Sequence, residues 1–147
     1  MISLFALAVI ATYDCETTKP QMIGINGDKT TVTTLGLPAD VDKWKFTVSV
    51  ESGEPMQATI KWPGNPLGAE GKFPAMATST GSLAIVAAGK PPCALTEGGC
   101  LNQINIVNTG ETSAAVQIVP AAIGKTATGA VPLLVAVQGT CKRGATP

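Results

Sequence analysis

Between Asp42 and Trp62 the chain reads as a β-hairpin, and this pattern restricts the fold more than any other stretch. Trp44, Phe46, Val48 and Val50 alternate with Lys43, Lys45, Thr47, Ser49 and Glu51, the period of two that a half-buried strand requires. Met56, Ala58, Ile60 and Trp62 alternate with Gln57, Thr59 and Lys61, and Ser52, Gly53, Glu54 and Pro55 supply turn chemistry between the arms. Setting Val50 against Met56 pairs Val48 with Ala58, Phe46 with Ile60 and Trp44 with Trp62. One face is then apolar along its length, and a second layer must cover it. The other face sets Thr47 against Thr59 and Lys45 against Lys61, a like-charge pair that costs a fraction of a kcal/mol. With Lys43 beside them, these lysines form a basic cluster. It reads either as a site for an anionic partner such as an acidic glycan or, more commonly for such a pattern, as a solvated face whose lysines discourage aggregation.

The rest of the chain continues in the same manner. Sixteen glycines and eleven prolines among 147 residues, with much Thr, Val and Ala, predict many short strands joined by turns. Met22 to Ile25 and Thr30 to Leu37 flank an Asn26-Gly27-Asp28 turn. Ala75 to Thr80 and Ser82 to Ala88 follow as strands. Ile104 and Ile106 face Ala114, Val116 and Ile118 across a turn at Asn108 to Thr112. The chain is expected to turn again after Pro120, Val131 to Gln138 to form the last strand, and Lys142 to Pro147 to fray. The expected fold is all-β: a single immunoglobulin-like or jelly-roll-like β-sandwich of about eight to nine short antiparallel strands.

Residues 1–11 divide the reading. Ile2 to Ala11 is an apolar run of the length of a signal-peptide core, with Val9-Ile10-Ala11 as a small-residue cleavage site, and far short of the roughly 20 residues that span a bilayer. It lacks a basic start, as a truncated leader would. The alternative is that it is the first strand of a domain that otherwise occupies 12–147. Cys15, Cys93, Cys100 and Cys141 lack the close spacing of a zinc site. Two disulfides are expected, Cys93–Cys100 and Cys15–Cys141, a pairing chosen on span, and with them an oxidising compartment: secreted, periplasmic or cell-surface.

Little points to chemistry. Ten acidic and ten basic residues balance, which argues against nucleic acid as a partner. The absence of histidine removes the commonest general acid/base and metal ligand. Gly124-Lys125-Thr126 resembles the end of a phosphate loop, but Val119 stands where its first glycine belongs. No cofactor is expected. Asp40 and Asp42 would suit a hard cation such as calcium, although two aspartates at a strand entrance are more often simply solvated. The hairpin sends Trp44, Phe46 and Trp62 inward, which argues against an aromatic sugar-stacking platform.

Asp40-Val41-Asp42-Lys43-Trp44-Lys45-Phe46-Thr47-Val48 resembles the D-x-D-x-[WY]-x-F-x-V strand of bacterial pre-peptidase C-terminal domains, over nine of the 147 residues. The family's next strand, of D-L-x-L type, is replaced by MQATIKW. Ile104 to Gly110, followed by Ala114 to Ile118, is similar to the strand-N-T-G-strand hairpin of immunoglobulin-like repeats on bacterial surfaces. Both resemblances imply exported, non-catalytic sandwich modules, the first with calcium in some members. The expected function is a binding or structural module that contacts protein or glycan of the cell envelope. The alternative is a subunit of an extracellular assembly, a homo-oligomer in which the apolar N-terminal segment adds a strand to a neighbour.

Overall fold

A computed structural model describes residues 8–18, 21–26, 29–34, 43–64, 67–79, 81–89, 100–126 and 129–144. Ten strands follow in chain order: β1 (Val9–Thr17), β2 (Gln21–Asn26), β3 (Lys29–Thr34), β4 (Lys45–Glu51), β5 (Gln57–Lys61), β6 (Gly71–Ala77), β7 (Ser82–Ala88), β8 (Leu101–Asn108), β9 (Ser113–Thr126) and β10 (Gly129–Arg143). From β4 to β10 each strand pairs antiparallel with the next, and β1 pairs with both β4 and β10. The sheet is thereby closed into an eight-stranded antiparallel barrel.

This overturns the two-layer expectation. Alternating burial is common to sandwiches and barrels, because in both one face of each strand meets the core. What distinguishes them is whether the first and last strands meet, and here Tyr13 to Thr17 pair with Arg143 to Gly139. A barrel of eight strands leaves an interior that side chains just fill. Val48, Ile60, Ile85, Ile104, Ile118 and Val137 fill it, each at most 1 % exposed. No helix among the described residues is long and apolar enough to cross a membrane.

Several local expectations change with the closure. Val9, Ile10 and Ala11, read as a cleavage site, belong to β1, where Val9 and Ala11 pair with Glu51 and Val50 of β4. In the central hairpin the even positions do face inward, but the register differs by two residues. Val50 lies opposite Ala58, Val48 opposite Ile60 and Thr47 opposite Lys61, so Ser52 to Met56 form the turn and Lys45 is not opposite Lys61. A two-residue slip preserves which side chains face the core, so alternation alone is blind to it. Lys142, expected to fray, is paired with Asp14.

Pro120 does not end its strand either. β9 runs through it, and the β9–β10 ladder omits the positions from Val119 to Pro120 while keeping the same register on both sides. Proline has no N–H to donate, and the gap covers only it and its neighbour Val119. Beyond Ala121, the last residue paired with β8, β9 continues with β10 alone. There β10 takes β2 as its other neighbour, through Leu134, Val135 and Ala136, and β3 follows β2. The ends of β9 and β10 thus form, with the β2–β3 hairpin, a four-stranded extension of the barrel wall.

The two barrel ends are built differently. At one end short turns join β6 to β7 and β8 to β9. Here the Tyr13 hydroxyl donates to Asn108 Oδ1 at 3.2 Å and Asn108 Nδ2 donates to the Gly81 carbonyl at 2.9 Å. At the other end the connection from β5 to β6 folds over the opening. Leu67 and Ala69 are buried there, and Asn102, wholly buried, donates from Nδ2 to the carbonyls of Leu67 (3.1 Å) and Ala87 (3.3 Å). Trp62 sits beneath them against Phe46 and Trp44.

The seam where β1 meets β10 is tight. A Cβ on Gly139 would run into the Glu16 carbonyl and lie 2.7 Å from the Thr17 Cα, so only glycine lets the strands approach this closely. Cys15 and Cys141 are directly opposed across the seam and joined by a disulfide, 126 residues apart in sequence. Of the two expected disulfides this one has both partners described. Cys100 is also disulfide-bonded, whereas Cys93 lies outside the described residues.

Candidate functional site

Outward-facing residues alternate with the core positions and align across neighbouring strands. Along the wall formed by β10, β1, β4 and β5, one row runs from Lys142 through Asp14 and Thr47 to Lys61, and the next from Thr140 through Glu16 to Lys45. These residues border an open groove of about 720 Å³, with Cys15 and Cys141 lining it as well. Lys45, Lys61, Lys142 and Asp14 are exposed.

The charges are unevenly committed. Lys43 Nζ is 2.9 Å from Glu16 Oε1. The hydrogen bond and charge of Lys43, with smaller contributions from the charges of Lys45 and Lys142, hold the Glu16 carboxyl below its ordinary range. Three lysines, Lys43 just before β4, Lys45 on β4 and Lys142 on β10, therefore act on one carboxylate. Four lysines and two carboxylates in this region make it locally basic in a chain whose acidic and basic residues balance overall. On the adjoining strands Lys72 Nζ lies 2.6 Å from Glu51 Oε2.

Of the basic cluster expected from sequence, Lys45 and Lys61 both line the groove, and Lys43 sits at its edge in its ion pair with Glu16. Lys142, Asp14 and Glu16 were missed. They join the site only because the terminal strands meet, and no local spacing signals that. Asp40 and Asp42, the expected calcium ligands, lie outside the described residues. Among the described residues no group of three or more acidic or cysteine side chains is placed to hold a metal ion.

No aromatic ring among the described residues is exposed: Tyr13, Phe46 and Trp62 are buried, and Trp44 and Phe73 are half-buried against the core. The groove therefore offers ammonium and hydroxyl groups rather than a stacking platform. Compared with known proteins, the chain matches no family model, no curated protein and no solved structure.

Proposed function

We propose that this protein is a non-catalytic binding module of an oxidising compartment, secreted, periplasmic or cell-surface, that engages an anionic glycan along the groove over β10, β1, β4 and β5. The observation that carries the reading is the convergence of Lys45, Lys61 and Lys142 from three strands around one open groove. Ammonium groups on long stems meet sulfate or carboxylate groups as point charges without demanding one geometry. That suits a repetitive polyanion better than a small ligand needing enclosure. The Cys15–Cys141 disulfide supports the oxidising compartment.

The test is retention of the folded protein on an immobilised sulfated polysaccharide over a salt gradient. The native chain is expected to bind at low ionic strength and to elute as salt rises, because exposed charges are screened beyond about 10 Å at 0.1 M salt. The triple variant Lys45→Glu, Lys61→Glu, Lys142→Glu is expected to pass unretained. Equal retention of native and triple variant would remove the groove as the site. Binding to polyglutamate with no binding to the polysaccharide would replace the glycan with an acidic polypeptide.

A further inference from the structure

The opposite wall of the barrel has a different chemistry. β7, β8 and residues 113–121 of β9 contain no Asp, Glu, Lys or Arg, whereas the groove wall carries charges on every strand. Among the described residues six large hydrophobic side chains are exposed, and four of them lie on or beside this uncharged wall: Met76 (65 %), Leu101 (51 %), Val107 (45 %) and Val86 (44 %). Between them runs a row of amides. Gln103 Nε2 donates to Asn105 Oδ1 at 3.2 Å, Asn105 Nδ2 to Gln117 Oε1 at 3.5 Å, and Gln117 is paired across the ladder with Gln138. A depression of about 270 Å³ opens beside this row, between Val107 and Gln138.

We infer that the uncharged wall of β7, β8 and β9 is a self-association surface on which a second copy of this chain packs about a two-fold axis. Depletion of charge with retention of aliphatic and amide groups marks the centre of protein interfaces, since an ion buried there without a partner is costly. Three features favour a second copy as the occupant. A partner must be as free of charge as this face, and the chain presents such a face itself. Each Asn or Gln amide carries both donor and acceptor, so the row is complementary to its own two-fold image. The depression lies at the Val107 end of β8 while Leu101 projects at the other end, so a two-fold axis between them sets the knob of one copy against the hollow of the other, as isologous contact requires.

Size sets the strength. Three strands spaced about 4.8 Å apart over seven or eight residues present roughly 350 Å² in projection. That is well below the ~800 Å² per partner of a stable complex, so the dimer is a reversible one. The groove and this wall lie on different sides of the barrel, so the inference does not depend on the glycan reading.

Sedimentation equilibrium of the full chain tests it. The weight-average mass is expected to rise from that of one chain toward that of two between roughly 10 μM and 1 mM, the range a small transient interface implies. Leu101→Lys with Val107→Lys, both at exposed positions, is expected to hold the protein monomeric throughout with an unchanged melting temperature. Gln117→Lys is the second variant should the double substitution disturb folding. Lys61→Glu in the groove and Val32→Lys on the outer strand β3 are expected to leave association unaltered. A native chain monomeric at 1 mM, association that survives the folded wall variants, or association abolished by Val32→Lys alone would overturn the inference.

Discussion

The ring of Phe46 stacks on that of Trp62, with centroids 4.6 Å apart and planes inclined by 20°, while Trp44 meets Trp62 edge-on at 5.6 Å. This pair ties β4 to the connection after β5 and closes the core at the end of the barrel that the Leu67 connection covers. Trp62 is 1 % exposed, so its whole ring is at stake. Trp62→Ala is expected to lower unfolding free energy by about 3–5 kcal/mol, read by urea denaturation, and Trp62→Phe by less, because a ring remains to stack on Phe46. An equal loss in both variants would mean that the stack contributes little.

The Cys15–Cys141 disulfide closes the barrel at the seam between the first and last barrel strands. Cross-linking residues 126 apart restrains the unfolded chain strongly, and its removal is expected to cost about 2–5 kcal/mol. Cys15→Ala with Cys141→Ala should show this as a lowered denaturation midpoint. Hydrogen exchange should rise first at Tyr13 to Thr17 and Gly139 to Arg143, whose ladder is the seam itself. Uniformly raised exchange over all strands would show that the barrel opens only as a whole.

Asn102 is buried among apolar side chains and holds the Leu67 connection over the barrel mouth through one amide nitrogen. Asn102→Ala is expected to destabilise by about 1–3 kcal/mol, since two buried carbonyls lose their donor. Asn102→Asp should be worse at neutral pH, because a carboxylate would face those carbonyls without a donor. Burial raises the pKa of such a group, so stability should recover as pH falls and the carboxyl becomes neutral. Thermal unfolding at two pH values distinguishes the variants.

Glu16 has its carboxyl held down by Lys43, first through their hydrogen bond and then through charge. Since its pKa in the folded state lies below that in the unfolded state, its favourable contribution is complete above the ordinary carboxylate range. That contribution is lost as pH falls through the folded-state value. Titration of the Glu16 carboxyl by NMR should give a midpoint below that of an unperturbed glutamate, moving up in Lys43→Met. Lys45→Met and Lys142→Met should move it less, and no movement in Lys43→Met would remove the ion pair as the cause.

The hairpin from Asp42 to Trp62 shows where sequence reading reached and where it stopped. Parity assigned Phe46, Val48, Val50, Ala58, Ile60 and Trp62 to the core, and all are buried. It could not fix the register, and the pairing of Val50 with Met56 expected from it is two residues off. The observed one agrees with the stack of Phe46 on Trp62 and with pairing to β1 and β6 on either side. In the groove, Lys45 and Lys61 were visible because they lie on one hairpin, whereas Lys142 and Asp14 share no local pattern and meet only across the seam.

By itself, then, the sequence determined the all-β class, and in the central hairpin the inward and outward faces and the lysine-bearing surface, because each follows from the two-residue period of an extended chain. The tertiary structure alone decided that the sheet closes. A sandwich and a barrel ask the same alternation of every strand and differ in one pairing, between β1 and β10, whose residues lie more than a hundred positions apart. That pairing depends on the summed twist and register of all eight barrel strands, a property no single stretch of the chain carries.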